Sequence, residues 1–202
     1  MTGIYMDSEF TGLHRNTSLI SIGLVSDTGS SFYAEFTDYD KSQVDGWIQE
    51  NVISHLSLEP GTWKRDEING STIVTACDNS SNIRSRLLKW LENEWVLTDR
   101  KLQFFVDCYA YDWVLLVDLL TGGKSALDMP EYIYYIPIDL STVLWSMMED
   151  PDIGREEFCS WNYHEKDNSV KHSAYGDALV IEKCFDRIKR YKLPNKSSLI
   201  YI

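Results

Sequence analysis

Residues 18–36 hold two apolar segments, SLISIGLV (18–25) and SFYAEF (31–36), joined by the turn-forming SDTGS. Gly29 can take the positive φ that such a turn favours, so the spacing predicts a β-hairpin. Just upstream, residues 4–9 alternate: Ile4 and Met6 face one side, and Tyr5, Asp7 and Glu9 the other. A hairpin beside an alternating strand commits the start of the chain to a sheet. Downstream, strands and helices follow one another. SQVDGWIQENVISHL (42–56) reads as a helix with Ser42 as its cap and Val44, Trp47, Ile48 and Val52 at helical spacing. SSNIRSRLLKWLENEW (80–95) is amphipathic, with Ile83, Leu87, Trp90 and Leu91 in one stripe. LQFFV (102–106) and EYIYYIPI (131–138) are strand candidates. YDWVLLVDLL (111–120), DLSTVLWSMME (139–149) and YGDALVIEKCFDRIKRY (175–191) are helix candidates, the first too apolar all round to lie on a surface. Residues 57–79 read as mixed and polar, with Pro60, Gly61 and Gly70, and residues 150–171 as polar, irregular and loop-like. The pattern predicts one domain over residues 1–202, a mixed sheet with helices on its faces.

A chain of 202 residues with 44% apolar residues can bury a full core, and most of its seven tryptophans are expected in that core or lining grooves. The net charge of −12 argues against a general polyanion binder. It leaves a nuclease open, because clustered carboxylates recruit divalent cations that then meet phosphate. The cysteines, Cys77, Cys108, Cys159 and Cys184, are far apart and form no C-x-x-C pair. Reduced thiols in a cytoplasmic protein are expected rather than a zinc site. MTGIYMDSEF lacks the basic start and apolar stretch of a secretory signal, and no apolar run is long enough to span a membrane. No membrane partner is expected.

Three acidic motifs stand out. Asp7-x-Glu9 puts two carboxylates on one face of a strand, able to hold hard cations or simply to form an acidic edge. DCYAYD (107–112) ends with Asp112 at the start of an apolar helix, either as a helix-terminal carboxylate or as a ligand at the carboxyl end of a strand. HSAYGDALVIEKCF carries His172 and Asp177. Asp177 shares a helix face with Ile181, Cys184 and Ile188, and an inward carboxylate needs a partner, which a metal or the helix terminus supplies.

In this order, Asp7-x-Glu9, Asp112, and His172 with Asp177 resemble the DEDDh branch of the DEDD 3′–5′ exonucleases. DSEFTGL is similar to the first motif of oligoribonuclease and its relatives. The layout, with YAEFTDYD and the tryptophan-bearing helix after it, most resembles the small 3′–5′ exoribonucleases of mycobacteria and phages. The resemblance spans residues 7–177. It implies an α/β fold with a ribonuclease-H-like mixed five-stranded sheet, an antiparallel hairpin plus parallel strands, flanked by helices. It implies 3′–5′ hydrolysis of single-stranded RNA or 3′ overhangs, with a DNA exonuclease of proofreading type or a non-catalytic nucleic-acid-binding relative as alternatives. Two Mg2+ ions are implied, with Mn2+ able to substitute, and a homodimer is a common state in the family. By the same resemblance Asp7 bridges the ions, Glu9 and Asp177 complete the water-activating site, Asp112 supports the second ion, and His172 takes the proton of water. Phe10, Thr11 and Leu13 are the implied substrate contacts. One position departs: the family's asparagine in the second motif is Asp107 here. Arg155, Lys166 and Lys171 read as scattered loop charges or as guides for a phosphate backbone.

Overall fold

The structure is a computed structural model that describes residues 1–161 and 172–191, with the side chain of Tyr191 left aside; Lys166 and Lys171 lie outside this set. Its centre is β1 (Thr2–Phe10), paired antiparallel to β2 (Leu19–Ser26), which pairs antiparallel to β3 (Ser31–Phe36). The hairpin turn places Gly29 at φ 83°, as SDTGS predicts. On the other side of β1 run β6 (Leu102–Val106) and the two-residue β7 (Ile138–Asp139), both parallel. These strands form the expected hairpin-plus-parallel sheet.

The sheet is wider than expected. A second hairpin, β4 (Trp63–Ile68) and β5 (Ser71–Asp78), adds β5 parallel to β3, so the order becomes β4-β5-β3-β2-β1-β6-β7. It falls in the segment 57–79, which the sequence marks only as mixed and polar. All of β4 is exposed, so an edge strand of sequence WKRDEI shows no buried period to read. The local signal was the turn, Asn69-Gly70, with φ 53° and 85°.

The helices are α1 (Gly46–Asn51), α2 (Ser80–Thr98), α3 (Ala110–Thr121), α4 (Leu140–Ser146), α5 (Arg155–Cys159) and α6 (Ala174–Tyr191). One core packs the Ile4 and Met6 face of the sheet against α2, where Ile83, Leu87, Trp90 and Leu91 are all buried. The other packs the Tyr5 face against Val180, Ile181, Cys184, Phe185 and Ile188 of α6, with Leu144 of α4 and Phe158 of α5. Trp90 is buried, Trp113 and Trp161 pack against core clusters, and Trp95 and Trp145 are exposed.

Four local expectations change. The 42–56 helix splits: Lys41–Gln43 is a separate 3-10 turn, and α1 starts after Asp45, whose Oδ1 accepts the Ile48 N–H at 2.8 Å, so Asp45 rather than Ser42 is the cap. The 131–138 strand shrinks to a bridge at Ile133 and to β7, since Pro137 has no N–H for a ladder. α3 has an open side, with Val114 and Asp118 exposed. Within 150–171, residues Arg155–Cys159 are helical.

Candidate active site

Asp7 and Glu9 leave β1 on the face that α6 covers. β6 pairs with β1 only as far as Tyr5, so both carboxylates stand beyond the parallel ladder, at the carboxyl end of the strand. Ligands of open α/β sheets collect at such ends. After β6 the chain turns sharply at Cys108, with φ 51°, and enters α3. That turn brings Asp112 beneath β1. Its Oδ1 accepts the Ser8 N–H at 3.0 Å and the Ser8 hydroxyl at 2.6 Å, so its partner is the strand between the two acids.

Asp177 arrives on the first turn of α6, and its Oδ2 accepts the His172 N–H at 3.1 Å. His172 sits in the left-handed region, φ 60°, and its ring stands edge-on to Trp47 at 5.2 Å. One ligand atom each from Glu9, His172 and Asp177 lies within 4.8 Å of the others. A cavity of about 670 Å³ is lined by Asp7, Glu9, Asp112, His172 and Asp177, with Phe10, Leu13 and Trp47. All five predicted catalytic positions therefore meet in one place.

A glycine makes this approach possible. Gly23 pairs directly with Asp7 in the ladder. A Cβ at Gly23 would lie 2.3 Å from the Ala174 carbonyl oxygen and 2.5 Å from the Tyr175 Cα. The first turn of α6, which carries Asp177, therefore rests on bare backbone opposite Asp7. Gly23→Ala is expected to cost about 1–3 kcal/mol by overpacking and to lower activity by lifting Asp177 away. Thermal unfolding and a turnover assay check this; a variant as stable and active as the parent would contradict it.

The site is electrostatically loaded. Burial, reinforced by Asp112, Asp177 and Glu9, holds the Asp7 carboxyl well above the usual carboxylate range. Glu9 is pushed up to about 8, first by burial and then by Asp177 and Asp112. Asp112 is pushed up to about 6 by burial, against the pull of the two Ser8 hydrogen bonds. The larger cavity has five acidic residues in its lining, Asp45 included, and no lysine or arginine among the described residues. An all-oxygen donor set with a histidine beside it, repelling itself in a half-buried pocket, fits hard divalent cations.

Asp107 and Arg155 settle into an ion pair. Arg155 Nε and Nη2 donate to the two Asp107 oxygens at 2.6 and 2.9 Å, and Nη2 also reaches the Ser141 hydroxyl at 2.7 Å. Nη1 donates to the Ile153 carbonyl at 2.6 Å. Arg155 is thus not a solvated loop charge: it lines a second cavity of about 340 Å³ that shares Asp7, His172 and Asp177 with the first. The pair offsets part of the charge of a further carboxylate beside the cluster, one that still helps to raise Asp7 and Asp112. Arg155→Ala is expected to cost about 3 kcal/mol, because it strands a largely buried charge. Asp107→Asn added to Arg155→Ala should recover most of that loss in denaturant unfolding. A double variant no more stable than the single would contradict the pairing account.

The three predicted substrate contacts part company. Phe10 stacks on Tyr111 at 5.5 Å and Leu13 is 77% exposed, both in the cavity lining. Leu13 is therefore not a core residue. Thr11 is buried and outside that lining. Its N–H goes to the Ser18 carbonyl, and its hydroxyl meets the Ser18 N–H and the Gln43 side chain. It fixes the segment rather than facing the cavity. Ser8, Gly23, Trp47 and the Arg155 pair were not singled out for these roles from sequence. Trp47 was read as part of the apolar stripe of its helix, but it is exposed while Ile48 beside it is buried, so its place in the cavity lining shows only in the structure.

A family model described as the 3′-5′ exoribonuclease Rv2179c-like domain matches residues 2–189. No curated protein matches the chain. Among solved structures, the crystal structure of a full-length 3′-exonuclease is similar, with a TM-score of 0.55 at 10% identity, covering 94% of this chain and 82% of that one. At that identity the likeness speaks for the fold.

Proposed function

Because the chain belongs to the family of 3′-5′ exoribonuclease Rv2179c-like domains, we propose that it is a single-domain, divalent-metal-dependent 3′–5′ exoribonuclease acting on single-stranded RNA or 3′ overhangs. One observation carries the reading: Asp7, Glu9, Asp112 and Asp177 line one cavity together with His172. In this reading those four carboxylates would hold two Mg2+ ions, or Mn2+ in their place. Such ions, when bound, supply an activated water and offset the charge that develops at phosphorus.

The residues of the chain then divide the work. His172 accepts the proton of the attacking water at its imidazole. Its backbone bond to Asp177 and its edge contact with Trp47 orient it for that task. Imidazole is the side chain whose reference pKa, about 6.5, suits proton removal near neutral pH. Phe10 and Leu13 offer flat and apolar surfaces to the terminal bases, and Thr11 anchors their backbone. Arg155 offsets part of the Asp107 charge, which still helps to raise the Asp7 and Asp112 carboxyls. No helix among the described residues is long and apolar enough to cross a membrane. A cytoplasmic location and pairing as a homodimer complete the proposal.

Equal-length single strands of RNA and DNA, labelled at the 5′ end and digested with Mg2+, test the substrate choice. RNA is expected to shorten faster. Faster loss of DNA would replace the exoribonuclease reading with a proofreading-type DNA exonuclease.

A further inference from the structure

A cavity of about 300 Å³ lies at the far edge of the sheet, between the β4–β5 hairpin and α2, walled by Trp63, Arg65, Arg86, Lys89 and Trp90. In a chain of net charge −12, this lining holds three cations and no carboxylate. Arg65 is paired to Glu67 at 3.0 Å and Arg86 to Asp78 at 3.1 Å, while Lys89 makes no ion pair among the described residues. The groove therefore keeps a surplus positive charge.

Its donors are set in place. The Arg86 guanidinium lies 4.8 Å over the Trp63 ring, and its Nη2 is anchored on Asp78. Among the described residues Arg86 Nη1 is buried with no hydrogen-bond partner, and so is Nε1 of Trp90, a residue only 2% exposed. Buried donors nearly always have an acceptor. Both residues wall the groove, so a small shift of either donor towards an oxygen-rich anion beside Arg86 and Lys89 would supply the missing acceptor. Trp63, 45% exposed, puts an aromatic surface beside that anion position. A phosphate joined to a flat ring has this chemistry.

We propose that the groove is a nucleotide subsite, with a phosphate held by Arg86, Lys89 and Trp90 and a base against Trp63. The preference for an anion follows from the groove itself; the choice of a nucleotide rests on the exonuclease reading. β4 lies four strands from β1 in the sheet order, about 19 Å at the usual strand spacing. The occupant is thus an upstream part of a bound strand or a free nucleotide.

Fluorescence anisotropy of a 5′-fluorescein-labelled 20-nucleotide RNA, in EDTA to prevent hydrolysis, tests this with the full chain and its Trp63→Ala and Lys89→Glu variants. Both changes lie at the surface edge of the groove, and thermal unfolding verifies the fold of each. Each is expected to weaken binding about tenfold, the scale of one lost stacking or phosphate contact. Competition with adenosine monophosphate separates the sources. Displacement of the RNA from the parent but not from Trp63→Ala assigns a free-nucleotide site, and no displacement assigns a strand site. Affinity within twofold of the parent in both variants overturns the proposal. Equal displacement by polyglutamate also overturns it, since the groove would then be a general polyanion patch. Hydrolysis by the parent chain is a separate readout: a chain that binds here but cuts nothing refutes the catalytic reading and leaves the groove.

Discussion

Asp7→Asn is expected to lower the rate of strand shortening about a thousandfold or more and, in the same protein, to stabilise the metal-free fold. The first effect follows from losing a carboxylate that the proposal gives to metal binding, where the charge offset is worth several kcal/mol. The second follows from the site's own electrostatics. Asp7, Glu9 and Asp112 all have carboxyls held above the usual range by burial, Glu9 at about 8 and Asp112 at about 6. Their unfolded values lie near 4. Between about pH 4 and pH 8 the folded chain therefore keeps protons that the unfolded chain releases, so this contribution to stability falls as pH rises through that window. It is full below the unfolded value and gone above the folded one. Removing Asp7 removes one repelling charge, so the gain in melting temperature over the parent should be larger at pH 8 than at pH 5. Mg2+ should raise the parent's melting temperature at pH 8 and Asp7→Asn's much less. Scanning calorimetry at both pH values, with EDTA and with Mg2+, reads all of this. A variant less stable than the parent at pH 8 in EDTA would mean that Asp7 supports the fold, not the site.

His172→Ala is expected to lower turnover by about 10²–10⁴, the range of a lost general base. The parent's rate should rise with pH through the ordinary histidine range, because the base must be unprotonated to accept a proton. That limb should vanish in the variant. The fold should survive, since the bond to Asp177 comes from the His172 backbone N–H and remains. Full activity of His172→Ala near neutral pH would remove the residue from the mechanism.

How much of this was legible before the structure depended on what each residue touches. The strand at 4–9 shows its period in sequence, because Ile4 and Met6 fill the core under α2 while Asp7 and Glu9 on the other face line the cavity, and the strand at 31–36 was read from the turn before it. β4 was not legible, because an exposed edge strand has nothing to sort. The four acidic positions and His172 were legible as types in an order, and the structure brings all five to one cavity. What holds them there was not. Gly23 reads as one more small residue in an apolar strand. Its meaning appears only when Ala174 is found 2.3 Å from where its Cβ would be, across 151 positions of chain, a pairing that no local pattern encodes. Asp107 likewise looked like a departure from the family motif. Arg155, on a helix too short for periodicity to reveal, gives it a partner at 2.6 Å. Long-range packing and charge pairing decide these positions, and neither has a sequence period.

The most direct test of the central claim is a time course on a 5′-labelled single-stranded RNA, with Mg2+, with EDTA, and with Asp7→Asn. The account predicts a ladder of 5′-labelled products that shorten one nucleotide at a time from the 3′ end, seen only with the parent and Mg2+. No shortening of RNA or DNA in Mg2+ or Mn2+, or equal shortening by Asp7→Asn, would contradict it.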